Sequence, residues 1–91
     1  MRLDLYLKAA RLVRRRAVAA ALCDAGQVLV GGQAARASRG IRVGDRVEVR
    51  FARRQLLVEV VAVPAGEGVQ ADGRALYRLL REETGLTVPG R

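Results

Sequence analysis

The sequence has no histidine and no tryptophan, one cysteine, two prolines, two tyrosines and one phenylalanine in 91 residues. Without imidazole there is no Ser–His or Cys–His pair to activate a nucleophile and no histidine ligand for a metal. Cys23 has no second cysteine for a disulfide or a thiolate cluster, which points to a reducing, cytoplasmic setting. No apolar run approaches the ~20 residues of a membrane span. The opening Met-Arg-Leu-Asp turns acidic at its fourth residue and lacks the apolar region of a signal peptide. No catalytic residue, metal or cofactor is expected. What remains is a chain that is 51% hydrophobic and 29% charged, enough for one small core.

The charge is what stands out. The formal net charge is +8, and it is unevenly placed. Residues 1–54 carry Lys8 and twelve arginines against four acids, a balance of +9, while residues 55–91 carry four arginines against five acids, a balance of −1. A solvated surface in an arginine-rich proteome explains the preference for arginine over lysine, but not this asymmetry. A one-sided basic surface predicts a polyanionic partner, nucleic acid or anionic lipid.

Leu3, Tyr6, Leu7 and Ala10 recur at helical spacing, with Asp4 near the start to cap the helix, complement its dipole or pair an arginine. This predicts a short helix over about 4–11. A second follows in RRRAVAAALCDAG, with Val18, Ala21, Leu22 and Ala25 on one face and Gly26 just past its end. Cys23 reads as an ordinary buried or half-buried thiol on that helix. The period then changes to two. Val28 and Val30 form a short strand, Gly31-Gly32 a tight turn, and Gln33–Ser38 a weak strand or irregular return. After Gly44-Asp45, Val47, Val49 and Phe51 alternate with charged residues, Arg53-Arg54-Gln55 connect, and Leu56–Val63 returns. Residues 64–73 read as loop. Leu76, Leu79 and Leu80 predict a C-terminal helix over 74–84, and 85–91 a frayed tail. The fold class is α+β: two short N-terminal helices on a small, mostly antiparallel sheet, with an added β-hairpin and a C-terminal helix.

Arg14-Arg15-Arg16 is the sharpest local feature. The triplet falls at the N-terminus of the second helix, where the dipole disfavours cations and a purely structural sequence would place Ser or Asp. Such a local inconsistency marks a binding site, since a phosphate there meets guanidinium groups and helix N–H groups together. The glycines form neither a dinucleotide-binding nor a Walker A motif and read as turns. Two or more of Tyr6, Phe51 and Tyr77 fall on core stripes, so the surface favours a phosphate-directed reading of folded RNA or duplex over base stacking.

Arg2-Leu3-Asp4, the basic start of the second helix, Gly26-x-Val28-x-Val30, the glycine turn and Gly44-Asp45 together resemble the S-four RNA-binding domain over about residues 1–50. That resemblance implies two helices packed on a small sheet, with RNA along the helix face. Two features depart from the common pattern without breaking the fold. Arg14 stands where serine is frequent, and Gly31-Gly32 where Asn-Gly is usual. The whole chain, with its hairpin and no attached catalytic module, is similar to stand-alone ribosome-associated factors, the RqcP group and the heat-shock protein fifteen group. The basic triplet, Ala37-Ser38 and Val47-x-Val49-Arg50-Phe51 resemble the RqcP group more.

The RqcP resemblance implies a non-catalytic factor on the obstructed large ribosomal subunit, touching 23S rRNA and peptidyl-tRNA. It implies an Rqc-type tailing protein as partner during alanine tailing of stalled chains, no membrane contact, and a monomer when free. By matched position Arg2, Arg15 and Arg16 are the leading RNA contacts, supported by Lys8 and Arg14; Arg11 and Arg36 complete the candidate set. Three competing expectations remain: recycling of large subunits as in the heat-shock protein fifteen group, a basic protein-interaction or membrane-surface adaptor, and an RNA-modifying enzyme. The second helix offers mainly alanine opposite its arginines, which suits a membrane surface poorly.

Overall fold

The structure is a computed structural model that describes residues 1–64 and 76–84. Two helices, α1 (Leu3–Ala9) and α2 (Arg16–Asp24), precede five strands. These are β1 (Val28–Val30), β2 (Gln33–Ala34), β3 (Arg46–Arg50), β4 (Arg54–Val60) and β5 (Tyr77–Thr84), in the sheet order β2-β1-β3-β4-β5. Every pairing among them is antiparallel.

The core follows the two periodicities. On α1 and its C-cap, Leu3, Tyr6, Leu7 and Ala10 are all buried. They meet the inward residues of the sheet, Val28 and Val30, Val47 and Val49, Leu56, Val58 and Val60. Each fully buried valine or leucine contributes about 1.5–3 kcal/mol by leaving water. On α2 the buried residues are Ala19 and Cys23, with Leu22 partly buried. Val18 is 47% exposed, and Ala21 and Ala25 also face solvent. The expected α2 stripe is therefore rotated by about one residue. In so alanine-rich a helix several faces are nearly equal in hydrophobicity, and small Ala19 permits the closest approach to α1.

The link between the helices reverses sharply. Arg11 adopts φ 61°, and the amides of Leu12 and Val13 both bond the Leu7 carbonyl. This brings α2 back against α1 and sets Arg16 against Asp4 near the start of the chain. Gly26, at φ 75°, ends α2 as expected, and Gly31 and Gly32, both at positive φ, turn β1 into β2.

The β3–β4 hairpin is tighter than expected, since Phe51 N–H donates to the Arg54 carbonyl at 2.7 Å and β4 begins at Arg54. A larger correction concerns the C-terminal helix expected over 74–84. Residues 77–84 form strand β5 instead, paired with β4 from Val60↔Tyr77 to Arg54↔Thr84. Pairing satisfies the otherwise open edge of β4, and this tertiary demand overrides the helical preference of the Leu, Arg and Glu residues. Of the leucine stripe only Leu76 is buried, while Leu79 and Leu80 lie on the outside. A register shift at Leu57/Val58 accommodates the segment, and Arg78 pairs with Glu59 across the strands. The expected loop beyond residue 64, the helix start at 74–75 and the tail 85–91 lie outside the described residues.

Candidate nucleic-acid interface

Arg2 and Arg16, fourteen positions apart in sequence, meet on one carboxylate. Asp4 Oδ1 accepts from Arg2 Nε at 3.1 Å and from Leu5 N–H at 2.8 Å. Its Oδ2 accepts from Arg2 Nη2 at 3.3 Å and from Arg16 Nε at 3.1 Å. Asp4 is only 2% exposed, whereas both arginine side chains keep more than two-fifths of their surface in water. Burial works to raise the Asp4 pKa, but the hydrogen bonds from Arg16, Arg2 and Leu5 outweigh it and hold the carboxyl below its ordinary value. The result is a buried anion that fixes two cations and leaves most of their N–H donors without partners among the described residues.

The loop after β2 is tied to this site through the backbone. Leu3 N–H donates to the Arg39 carbonyl at 2.8 Å, Asp4 N–H to the Ala37 carbonyl at 3.1 Å, and Ile41 N–H to the Met1 carbonyl at 2.8 Å. The first two bonds cap open N–H groups of α1, a role the Arg2 side chain does not fill at the N-cap position, and the third ties the loop to the residue before it. Arg36 and Arg2 both line a groove bordered by Cys23, Asp24, Gly26 and Ser38. Arg39, held by the same loop, was not singled out from the sequence. Its signal is the spacing Arg36, Arg39, Arg42 in the segment between β2 and β3.

At the other end of the triplet, Arg15 is the N-cap of α2, its side chain makes no capping bond, and the first turn holds no acid. The opposed dipole expected there is thus present. Arg14 and Arg15 border a second groove together with Val18, Phe51 and Arg54. Arg54 and Phe51, contributed by the β3–β4 hairpin, escaped the sequence reading, which placed two or more of the three aromatics on core stripes. Phe51 is half-buried, and the Arg54 guanidinium lies over its ring, 4.8 Å from the centroid. Lys8 and Arg11 are exposed around the end of α1 and border neither groove.

Cys23 is buried as expected, and burial, with the charges of Asp4 and Asp24, raises its thiol pKa. Among the described residues no cluster of His, Cys, Asp or Glu is arranged to hold a metal, and no helix is long and apolar enough to cross a membrane.

With this geometry in place, the family is decided by sequence. The model of the S4 domain matches residues 1–47, the two helices and the first turns of the sheet. The chain belongs to the S4-domain family. Within it, the chain is 38% identical over 82 residues to the RQC P-site tRNA stabilizing factor of Streptococcus pneumoniae, covering 90% of this chain and 92% of that one. It is 36% identical over 84 residues to the protein of the same name from Halalkalibacterium halodurans, covering 91% and 93%. The fold is similar to a trimeric structure of heat shock protein 15 from Vibrio cholerae, with a TM-score of 0.77, 25% identity, and coverage of 87% and 80%. The S4-domain match spans Arg2, Asp4, Arg16 and Arg36, so the carboxylate clamp and its flanking loop lie wholly inside the family's domain.

Proposed function

We propose that this S4-domain protein is a non-catalytic RNA-binding factor of ribosome-associated quality control. It binds the obstructed large ribosomal subunit at 23S rRNA and peptidyl-tRNA, and supports alanine tailing of stalled chains beside an Rqc-type tailing protein. Arg2, Arg15, Arg16 and Arg36 are its principal phosphate contacts, with Lys8, Arg11 and Arg14 at the margin. One observation carries the reading: a buried aspartate gathers Arg2 and Arg16 into a fixed pair, with Arg2 and Arg36 lining one groove, inside the part of the sequence that carries the net positive charge. Such a prearranged pair suits two neighbouring phosphates of a folded RNA. The names of the relatives supply the ribosomal setting.

Affinity purification of the tagged chain, with sequencing of the bound RNA, tests this. Large-subunit rRNA should be recovered together with peptidyl-tRNA and the tailing protein, and recovery should fail for the Arg2→Ala, Arg16→Ala double variant. Sedimentation with anionic vesicles but not with ribosomal subunits would sink the proposal in favour of a membrane-surface adaptor. The likeness to heat shock protein 15 favours a second reading, recycling of large subunits that carry nascent chains. That reading predicts the same rRNA with no dependence of alanine tails on this protein.

A further inference from the structure

We propose that the groove at the N-terminal end of α2 seats an unpaired RNA nucleotide, its base stacked on the Arg54–Phe51 pair and its phosphates held by Arg14 and Arg15. The proposal rests on the RNA-binding reading above and adds a subsite to it. This groove shares no residue with the Asp4 clamp. Its volume is about 660 Å³, more than one nucleotide occupies, and it is open to solvent.

Three observations point to this occupant. The first is charge: among the described residues Arg14, Arg15 and Arg54 border the groove and no acid does, so an anion is favoured. None of the three has a salt-bridge partner among the described residues, unlike Arg2 and Arg16, which are engaged by Asp4. The second is the layered pair. The Arg54 guanidinium lies over the Phe51 ring within cation–π range, and ring and planar guanidinium are both surfaces of the kind on which RNA bases stack. The third is Val18, 47% exposed on the solvent side of α2, an apolar wall beside that platform with no core role. A paired duplex keeps its base faces covered and offers this groove only phosphate. An unpaired nucleotide, as in a bulge or loop, uses all three features at once. An acidic peptide would satisfy the charge but leave the planar platform unused.

A fluorescence titration separates these cases, using an RNA hairpin with a single bulged 2-aminopurine and the same hairpin fully paired. The wild-type protein should prefer the bulged RNA by about 10-fold, within the range that base stacking supplies, and quench the probe on binding. Arg54→Lys keeps the charge and removes the planar face, so the preference and the quenching should both disappear. Phe51→Leu should do the same by removing the support beneath; if it fails to fold, Arg54→Lys alone decides. Arg15→Ala should weaken both RNAs together and leave their ratio unchanged.

Equal wild-type affinity for the two hairpins, or an Arg54→Lys variant with an unaltered ratio, overturns the subsite while leaving the RNA-binding reading intact. So does an acidic peptide that binds the groove when the two RNAs are not distinguished. Failure of the wild type to bind either RNA overturns the broader reading and this one with it.

Discussion

Asp4 shows how a negative charge can serve a surface built for anions. All four of its lone-pair directions are used, three of them by arginine N–H groups and one by Leu5 N–H. Asp4→Asn removes a repulsive charge, so simple electrostatics predicts tighter RNA binding. The geometry predicts the reverse, because the two guanidinium groups lose the anchor that orders them; affinity should fall several-fold in a filter-binding assay. The same substitution has a pH signature. The native pKa lies below the ordinary 3.8, so the unfolded chain takes up the proton first as pH falls. The clamp's contribution to stability is therefore fully present above about pH 5, declines from near 3.8, and is gone once pH passes below the native pKa. Urea titrations of wild type and Asp4→Asn should differ most at neutral pH and converge in acid. Arg11 is a second telling residue. A non-glycine residue at φ 61° costs about 1–2 kcal/mol, so Arg11→Gly should raise stability by roughly 0.5–1 kcal/mol once the glycine's own entropy is counted. A fall in melting temperature would mean that the Arg11 side chain packs where the geometry shows it exposed.

Among the elements, β5 ties the helical layer to the far edge of the sheet. The Tyr6 hydroxyl, buried on α1, donates to the Leu76 carbonyl at 2.7 Å, and Val61 N–H donates to the same oxygen at 3.0 Å. Burial, with the nearby Tyr77, also pushes the Tyr6 pKa well up, so the phenol stays protonated as a donor throughout the neutral range. Tyr6→Phe keeps the ring and deletes the bond, which should cost about 1 kcal/mol and lower the melting temperature by roughly 4–8 °C. An unchanged melting temperature would mean that the bond does not hold the β5 end in place. This link was not legible in the sequence. Residues 77–84 carry a leucine spacing that reads as helix, and nothing local reveals that β4 lacks a partner on that side. The α1 stripe and the alternation of β3 were legible because large apolar residues mark one face unambiguously. On α2 the alanines do not, and the rotation that exposes Val18 followed from packing alone.

At the scale of the whole molecule, the basic N-terminal stretch of sequence supplies two differently built stations. Arg2 and Arg16 are fixed by Asp4 at one, and Arg14, Arg15 and Arg54 have no such partner among the described residues at the other. The sequence located the triplet and Arg2 because each is basic beside a helix start. It did not reveal Arg39 or Arg54, whose positions depend on a loop docked onto α1 and on a hairpin folded back beside α2. Counting about five phosphates neutralised across both stations, log K should fall against log[salt] with a slope of roughly −3.5 to −4.5. Arg15→Ala should make that slope shallower by about 0.7–0.9, the contribution of one phosphate. Its free-protein stability should be unchanged or slightly higher, because a cation opposed by the α2 dipole has been removed. A nearly flat salt response in the wild type would show that this surface does not grip phosphates. A clear drop in stability for Arg15→Ala would show that the residue serves the fold, since in the free protein the α2 dipole is set against its charge.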